Sequence, residues 1–193
     1  MLTDPKDREG HVATIIGLAG STRKGSFNLM LLGALAAAAP AGTSVEIASI
    51  REIPLYDADW EAANGVPPPV QALKDRIASA SGLLLVTPEY NNSIPGVMKN
   101  AVDWLSRPPS DIRRVFRGRP VAIAGATTGQ GGTLLAQAAW LPIVRTLGMR
   151  PWFEGRLSIS GAARVFDASG AIVDAEIQER VRAFIAGFAA FVG

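Results

Sequence analysis

Three stretches of this 193-residue chain are apolar almost throughout, Val12–Ala19, Gly82–Thr87 and Pro120–Ala126, and each runs directly into a loop bearing Gly or Pro. A strand with one wet face alternates polar and apolar residues; a strand covered on both faces does not. These three segments therefore predict central strands of a parallel sheet. Between them the period changes to that of a helix: Val70, Leu73, Ile77 and Ala80 share one face of Pro67–Ala80, and Val97, Ala101, Val102 and Leu105 one face of Pro95–Leu105. Ile177, Val181, Phe184, Ile185, Phe188 and Val192 do the same near the C-terminus. Strands alternating with helices make an α/β chain.

Ser44–Ile50 alternates instead, with Val45 and Ile47 set against Glu46 and Ser49, as an edge strand does, and the short Met149–Phe153 supplies the other edge. Five strands with these edges fit the 2-1-3-4-5 order of a flavodoxin-like three-layer sandwich. The alternative Rossmann order needs a sixth strand, which the pattern does not offer. No boundary, repeat or low-complexity linker divides the chain, so residues 1–193 are read as one domain, with 1–11 a flexible N-terminal segment and Asp57–Pro69 a long loop.

Composition narrows the chemistry. There is no Cys, and the only His is His11. That excludes disulfides, thiol nucleophiles, Cys/His metal sites and a Ser-His-Asp triad, so any redox chemistry belongs to a bound cofactor. The net charge of +2 gives no broad footprint for nucleic acid. The longest apolar runs are too short to span a membrane, and Met1–His11 lacks the layout of a secretory signal, which predicts a cytoplasmic protein. Positive charge does cluster in Arg107, Arg113, Arg114, Arg117 and Arg119. Two readings of that cluster stay open, a solvated loop and a hold on a nucleotide phosphate.

Ligands of open parallel sheets bind beyond the carboxyl ends of the strands, so the segments after the three buried strands are where function is expected. Gly20–Asn28 brings the hydroxyls of Ser21, Thr22 and Ser26, the Asn28 amide and the Arg23 charge to a helix starting near Phe27, the composition of a phosphate site. It is neither a Walker A loop, since no Lys follows Gly25, nor a G-x-G-x-x-G fingerprint. Pro88–Gly96 offers the flat ring of Tyr90 beside Asn91 and Asn92, suited to a planar heterocycle. Glu89 within it is read as structural in preference to a general acid or base. Ala126–Thr133 is Gly-rich and lets backbone N–H groups approach a ligand.

Taken together, Gly-Ser-Thr-Arg-Lys-Gly-Ser-Phe-Asn at 20–28, Pro-Leu-Tyr-Asp at 54–57, Thr-Pro-Glu-Tyr-Asn at 87–91 and Pro-Gly-Val-Met-Lys-Asn-Ala-Val-Asp-Trp-Leu-Ser-Arg at 95–107 resemble the NAD(P)H-dependent FMN reductase family, which includes bacterial quinone and chromate reductases. The resemblance implies FMN as cofactor and NADPH or NADH as co-substrate. It implies that Ser21, Arg23, Ser26 and Asn28, with Phe27, hold the FMN phosphate, and that Pro88, Glu89, Tyr90, Asn91, Thr127, Thr128 and Gly129 line the flavin ring. It also implies a homodimer or homotetramer in which the Asp57–Pro69 loop lies near a second copy's flavin, and a small-molecule acceptor such as a quinone, azo compound, metal oxyanion or free flavin. A flavodoxin-type electron carrier docking a protein partner is the alternative on the same fold.

Overall fold

The computed structural model describes residues 12–193. The expected N-terminal segment 1–11, His11 included, lies outside the described residues.

β1 (Ala13–Ala19), β3 (Gly82–Val86) and β4 (Pro120–Ala126) form the middle of a parallel sheet, with β2 (Thr43–Ala48) on one edge. The order is β2-β1-β3-β4-β5, as the apolar pattern predicts, with β5 at Arg150–Pro151. Leu83 and Leu85 of β3 point to one face, and Leu84 and Val86 to the other, and each face has its own core. On the first, α3 (Pro68–Ser79), α4 (Gly96–Leu105) and α6 (Leu134–Thr146) bury Val70, Ile77, Trp104 and Trp140. On the second, α1 (Phe27–Ala37) and α8 (Ala175–Val192) bury Leu31, Leu35, Phe184 and Phe188. Burying such a side chain contributes about 1.5–3 kcal/mol, which is why both faces of the central strands are apolar.

Two expectations are corrected. The 57–69 segment is not a plain loop, because Ala58–Asn64 forms the helix α2. The Asp57 carboxylate accepts from the N–H groups of Asp59 (2.8 Å) and Trp60 (3.0 Å), and Gly65 closes the other end at φ 79°. Cap residues outweigh the Pro-rich composition here.

The far edge is not the single strand Met149–Phe153 but two pieces, β5 (Arg150–Pro151) and β6 (Leu157–Ile159). Both pair with β4, at Pro120–Val121 and at Ala124–Ala126. Between them Trp152 still donates its backbone N–H to the Val121 carbonyl at 2.9 Å and buries its indole against Phe184 and Phe188, with ring centroids 5.2 and 5.8 Å away. The ladder is interrupted after Trp152, and a three-residue β6 is too short to leave a periodic signal. The remaining short helices are α5 (Ile112–Val115), reached through a 3-10 turn at Pro109–Asp111, and α7 (Ala162–Val165).

Candidate functional site

The loop after β1 ends in Ser26, whose hydroxyl accepts from the Leu29 N–H at 3.3 Å and so caps α1. The first two N–H groups of that helix, on Phe27 and Asn28, have no hydrogen-bond partner among the described residues. Arg23 lies exposed beside them, its guanidinium carbon 5.6 Å from the Phe27 ring centroid, and no carboxylate pairs with it among the described residues. Free donors, hydroxyls and an unneutralised cation at a helix start make an anion site.

Asn28 is almost wholly buried and sits differently from its neighbours. Its amide donates to the Ala126 carbonyl at 2.8 Å and accepts from the Ala126 N–H at 2.9 Å, as a strand partner would. One side chain thus ties the start of α1 to the end of β4. One amide N–H and one carbonyl lone pair remain free for a ligand.

The loop after β3 is stiffened at each step. Pro88 follows the buried Thr87, and Tyr90 and Ser93 exchange two backbone hydrogen bonds of 3.0 Å around Asn91 and Asn92, whose φ angles are 50° and 59°. Positive φ at both central residues makes this a mirror-image hairpin turn, for which Asn is well suited. Tyr90 stands at the rim, 51% exposed. The Glu89 carboxylate accepts from the Ala136 N–H at 3.0 Å in the first turn of α6, so it caps that helix from outside and is engaged structurally.

Beyond β4, the Thr127 N–H bonds the Ile159 carbonyl at 2.9 Å while the Thr128 N–H is unpartnered among the described residues. Two glycines let the loops meet. A Cβ on Gly20 would lie 2.8 Å from Pro88 Cδ and 2.7 Å from Met98 Sδ; one on Gly125 would lie 2.2 Å from the Thr87 carbonyl oxygen. Any larger residue would push the three loops apart.

The result is one cleft of about 110 Å3 at the carboxyl ends of β1, β3 and β4. It is lined by Ser21, Arg23, Ser26, Phe27 and Asn28 from the first loop, Pro88, Glu89 and Tyr90 from the second, and Thr127 and Thr128 from the third. Asn91 and Gly129 lie outside this lining, at the turn tip and in the open third loop. The volume suits a phosphate group rather than a whole flavin, whose ring system would need the open rim near Tyr90.

Two features escaped the motifs. Arg51, after β2, donates through its guanidinium to the Thr22 carbonyl and braces the first loop from the side. Tyr56 joins Glu61 and Arg107 in a cluster beside α4: its hydroxyl donates to Glu61 at 2.9 Å, Arg107 donates to the same carboxylate at 2.9 Å, and Asn100 pins the 54–56 backbone. Burial pushes the Glu61 carboxyl up, but the hydrogen bonds from Arg107 and Tyr56 outweigh it and hold it below its ordinary value. The bond to Glu61, then burial, raise the Tyr56 hydroxyl. In sequence Glu61 and Arg107 are 46 apart; Tyr56 lies in the 54–57 motif and Arg107 ends the 95–107 motif, but nothing local showed that Glu61 joins them.

The NADPH-dependent FMN reductase family matches residues 13–164, from the first residue of β1 into α7. The chain belongs to this family. An NAD(P)H-dependent FMN reductase of Pseudomonas aeruginosa is 40% identical over 168 residues, 87% of this chain and 89% of that protein. A 2-hydroxy-1,4-benzoquinone reductase of a Burkholderia species is 39% identical over 173 residues, 90% of this chain and 92% of that one. Among solved structures, the flavoenzyme NAD(P)H:(acceptor) oxidoreductase FerB of Paracoccus denitrificans superimposes with a TM-score of 0.83 at 31% identity, covering 94% of this chain and 97% of that chain. This FMN reductase fold is the flavodoxin-like one, and the family's cofactor and co-substrate are FMN and NAD(P)H.

Proposed function

We propose that the chain is an FMN-dependent NAD(P)H oxidoreductase whose acceptor is a quinone, with the flavin phosphate held at the start of α1. The observation that carries this reading is the cleft itself: three strand-end loops of an FMN reductase chain converge on unpaired phosphate donors. When bound, FMN supplies the redox chemistry, taking hydride from the nicotinamide and passing two electrons on. The protein's share is placement. Ser21, Arg23, Ser26 and the Phe27 and Asn28 N–H groups would hold the phosphate dianion, while Asn28 fixes that site against β4 and Glu89 fixes the second loop against α6. Pro88, Tyr90 and Asn91, with the Thr127–Gly129 backbone, would border the ring.

No side chain in the cleft is asked to move a proton, in keeping with the lack of His and Cys in the three loops. The quinone acceptor is favoured by the Burkholderia relative, named for a hydroxybenzoquinone. Leu55, 84% exposed, and Trp60, 42% exposed, stand out beside the tyrosine cluster, which supports a homodimer or homotetramer in which a second copy covers this rim. No helix among the described residues is long and apolar enough to cross a membrane, and a cytoplasmic location is part of this reading.

A single open rim must serve nicotinamide and acceptor in turn. The purified protein is therefore expected to be yellow, to bleach on adding NAD(P)H, and to give parallel double-reciprocal lines with a benzoquinone. A colourless preparation that takes up no FMN overturns the reading, and intersecting lines overturn the shared rim.

A further inference from the structure

On the other side of the β1 loop lies a second cleft of about 420 Å3, between that loop and the end of β2. It shares only Ser21 and Arg23 with the flavin cleft, so residues 21–24 form a ridge with a cleft on each flank. Its chemistry has two parts. Arg23, Lys24 and Arg51 line it and no carboxylate does; none of the three is in an ion pair among the described residues. Leu29 and Ile47 also line it, 41% and 42% exposed. Ile47 is the β2 residue whose alternation predicted an inward, covered side chain.

Cations alone would suit any anion, and exposed Leu and Ile alone would suit any apolar surface. Their combination in one concave site suits a nucleobase that carries phosphate. Arg51 is already held in place, with its guanidinium on the Thr22 carbonyl and its N–H on Ser49 Oγ at 3.2 Å. With Arg23 turned to a flavin phosphate on one flank, Lys24 and Arg51 remain for a second anion on the other.

We propose that this cleft takes the 2′-phosphoadenosine end of NADPH, the base against Leu29 and Ile47 and the 2′-phosphate between Lys24 and Arg51, and that it sets a preference for NADPH over NADH. The inference rests on the flavin reading, since the nicotinamide end has to reach the adjoining cleft. The electrostatics parallel those of Rossmann dinucleotide sites, where an acid selects the 2′-hydroxyl of NAD and a nearby arginine admits the 2′-phosphate, although this chain lacks that fold's fingerprint. β2 here gives way to Ser49 and Arg51, and Glu52 does not line the cleft.

The test uses FMN-loaded protein and two probes, 2′,5′-ADP and 5′-AMP. 2′,5′-ADP is expected to bind at least about tenfold more tightly and to compete with NADPH, as one charge-assisted phosphate contact requires. In Lys24→Ala/Arg51→Ala that advantage disappears, and the NADPH-to-NADH ratio of kcat/KM falls about 10–100-fold. Because Arg51 braces the first loop, Lys24→Gln is made alongside and keeps that brace; a fall of about fivefold is expected there. Equal binding of the two probes, or an unchanged ratio in both variants, overturns the subsite while leaving the flavin reading intact. Wild-type protein that takes up no FMN overturns the flavin reading instead.

Discussion

Arg107, Arg113, Arg114, Arg117 and Arg119 make the densest positive run in the chain, whereas Arg23, Lys24 and Arg51 are fewer and lie on two separate loops. In the structure the dense run is largely committed. Arg107 pairs with Glu61 at 2.9 Å, and Arg114 with Asp75 at 2.7 Å and Asp111 at 3.2 Å. Arg119 donates to the carbonyls of Val115, Ala80, Ala78 and Arg114. The sparse set has carbonyl and aromatic contacts but no acid. What separates a scaffold arginine from a ligand-binding one is thus how fully its guanidinium is engaged: Arg107 and Arg114 by carboxylates from α2, α3 and the 3-10 turn, and Arg119 by several main-chain carbonyls at once.

If that difference is real, the two sets must fail in different ways, and the largest failure belongs to the scaffold. Arg119→Ala strands several carbonyls between α3 and β4. With hydrogen bonds to charged groups at about 1.5–3 kcal/mol, a loss of roughly 3 kcal/mol is expected. That lowers Tm by roughly 6–12 °C in a domain of this size. FMN affinity of the folded fraction stays the same. Thermal melts and fluorescence titration on the same sample measure both, and a variant that melts like the parent but loses flavin would put Arg119 in the wrong set.

Arg23→Ala is the mirror case. Flavin binding weakens by about 1.5–3 kcal/mol, roughly 10- to 150-fold, while the melting temperature of the flavin-free protein moves little, because Arg23 makes no ion pair to lose. Unaltered FMN affinity would remove Arg23 from the phosphate site.

The contrast also explains how far the sequence could be read. Strand order was legible because burial on both faces leaves uninterrupted apolar runs, and ten of the twelve expected site residues line one cleft because strand ends fix where loops meet. What stayed hidden depends on side chains meeting across long separations: the Asn28 bracket on Ala126, the Glu89 cap on α6, the brace from Arg51. Trp152 shows the same limit in the fold, since no local pattern tells that the indole after β5 will pack beside Gly187.

A smaller effect concerns pH. The Glu61 carboxyl is held below its ordinary value of 4.5 in the folded chain. A depressed pKa means that the folded state releases the proton more readily, so the stabilisation is present above about pH 4.5 and is lost as pH falls through the lower folded value. Glu61→Gln is expected to lower Tm at pH 7 by about 1–2 °C, since the pair is partly solvated. The gap between parent and variant should close on acidification below pH 4.5. A gap that does not shrink as the pH falls would mean that the carboxylate charge is not what holds Arg107 and Tyr56.

The smallest expected effect is the most exacting for the comparison. Arg114 carries two ion pairs, yet its side chain is 40% exposed and the Asp75 side chain 57%. Pairs of this kind gain little, because water competes for both charges and two long side chains must be ordered to make them. Arg114→Ala should therefore cost less than about 0.5 kcal/mol, a shift of at most roughly 2 °C. It should also leave FMN affinity and the NADPH-to-NADH ratio unchanged, since α5 lies on the α3 and α4 face and lines neither strand-end cleft. The answer lies in a titration of Arg114→Ala with FMN, NADPH and NADH beside the parent. A tenfold loss for any nucleotide would show that the arginine run reaches a ligand after all, and that a nearby carboxylate does not mark an arginine as scaffold.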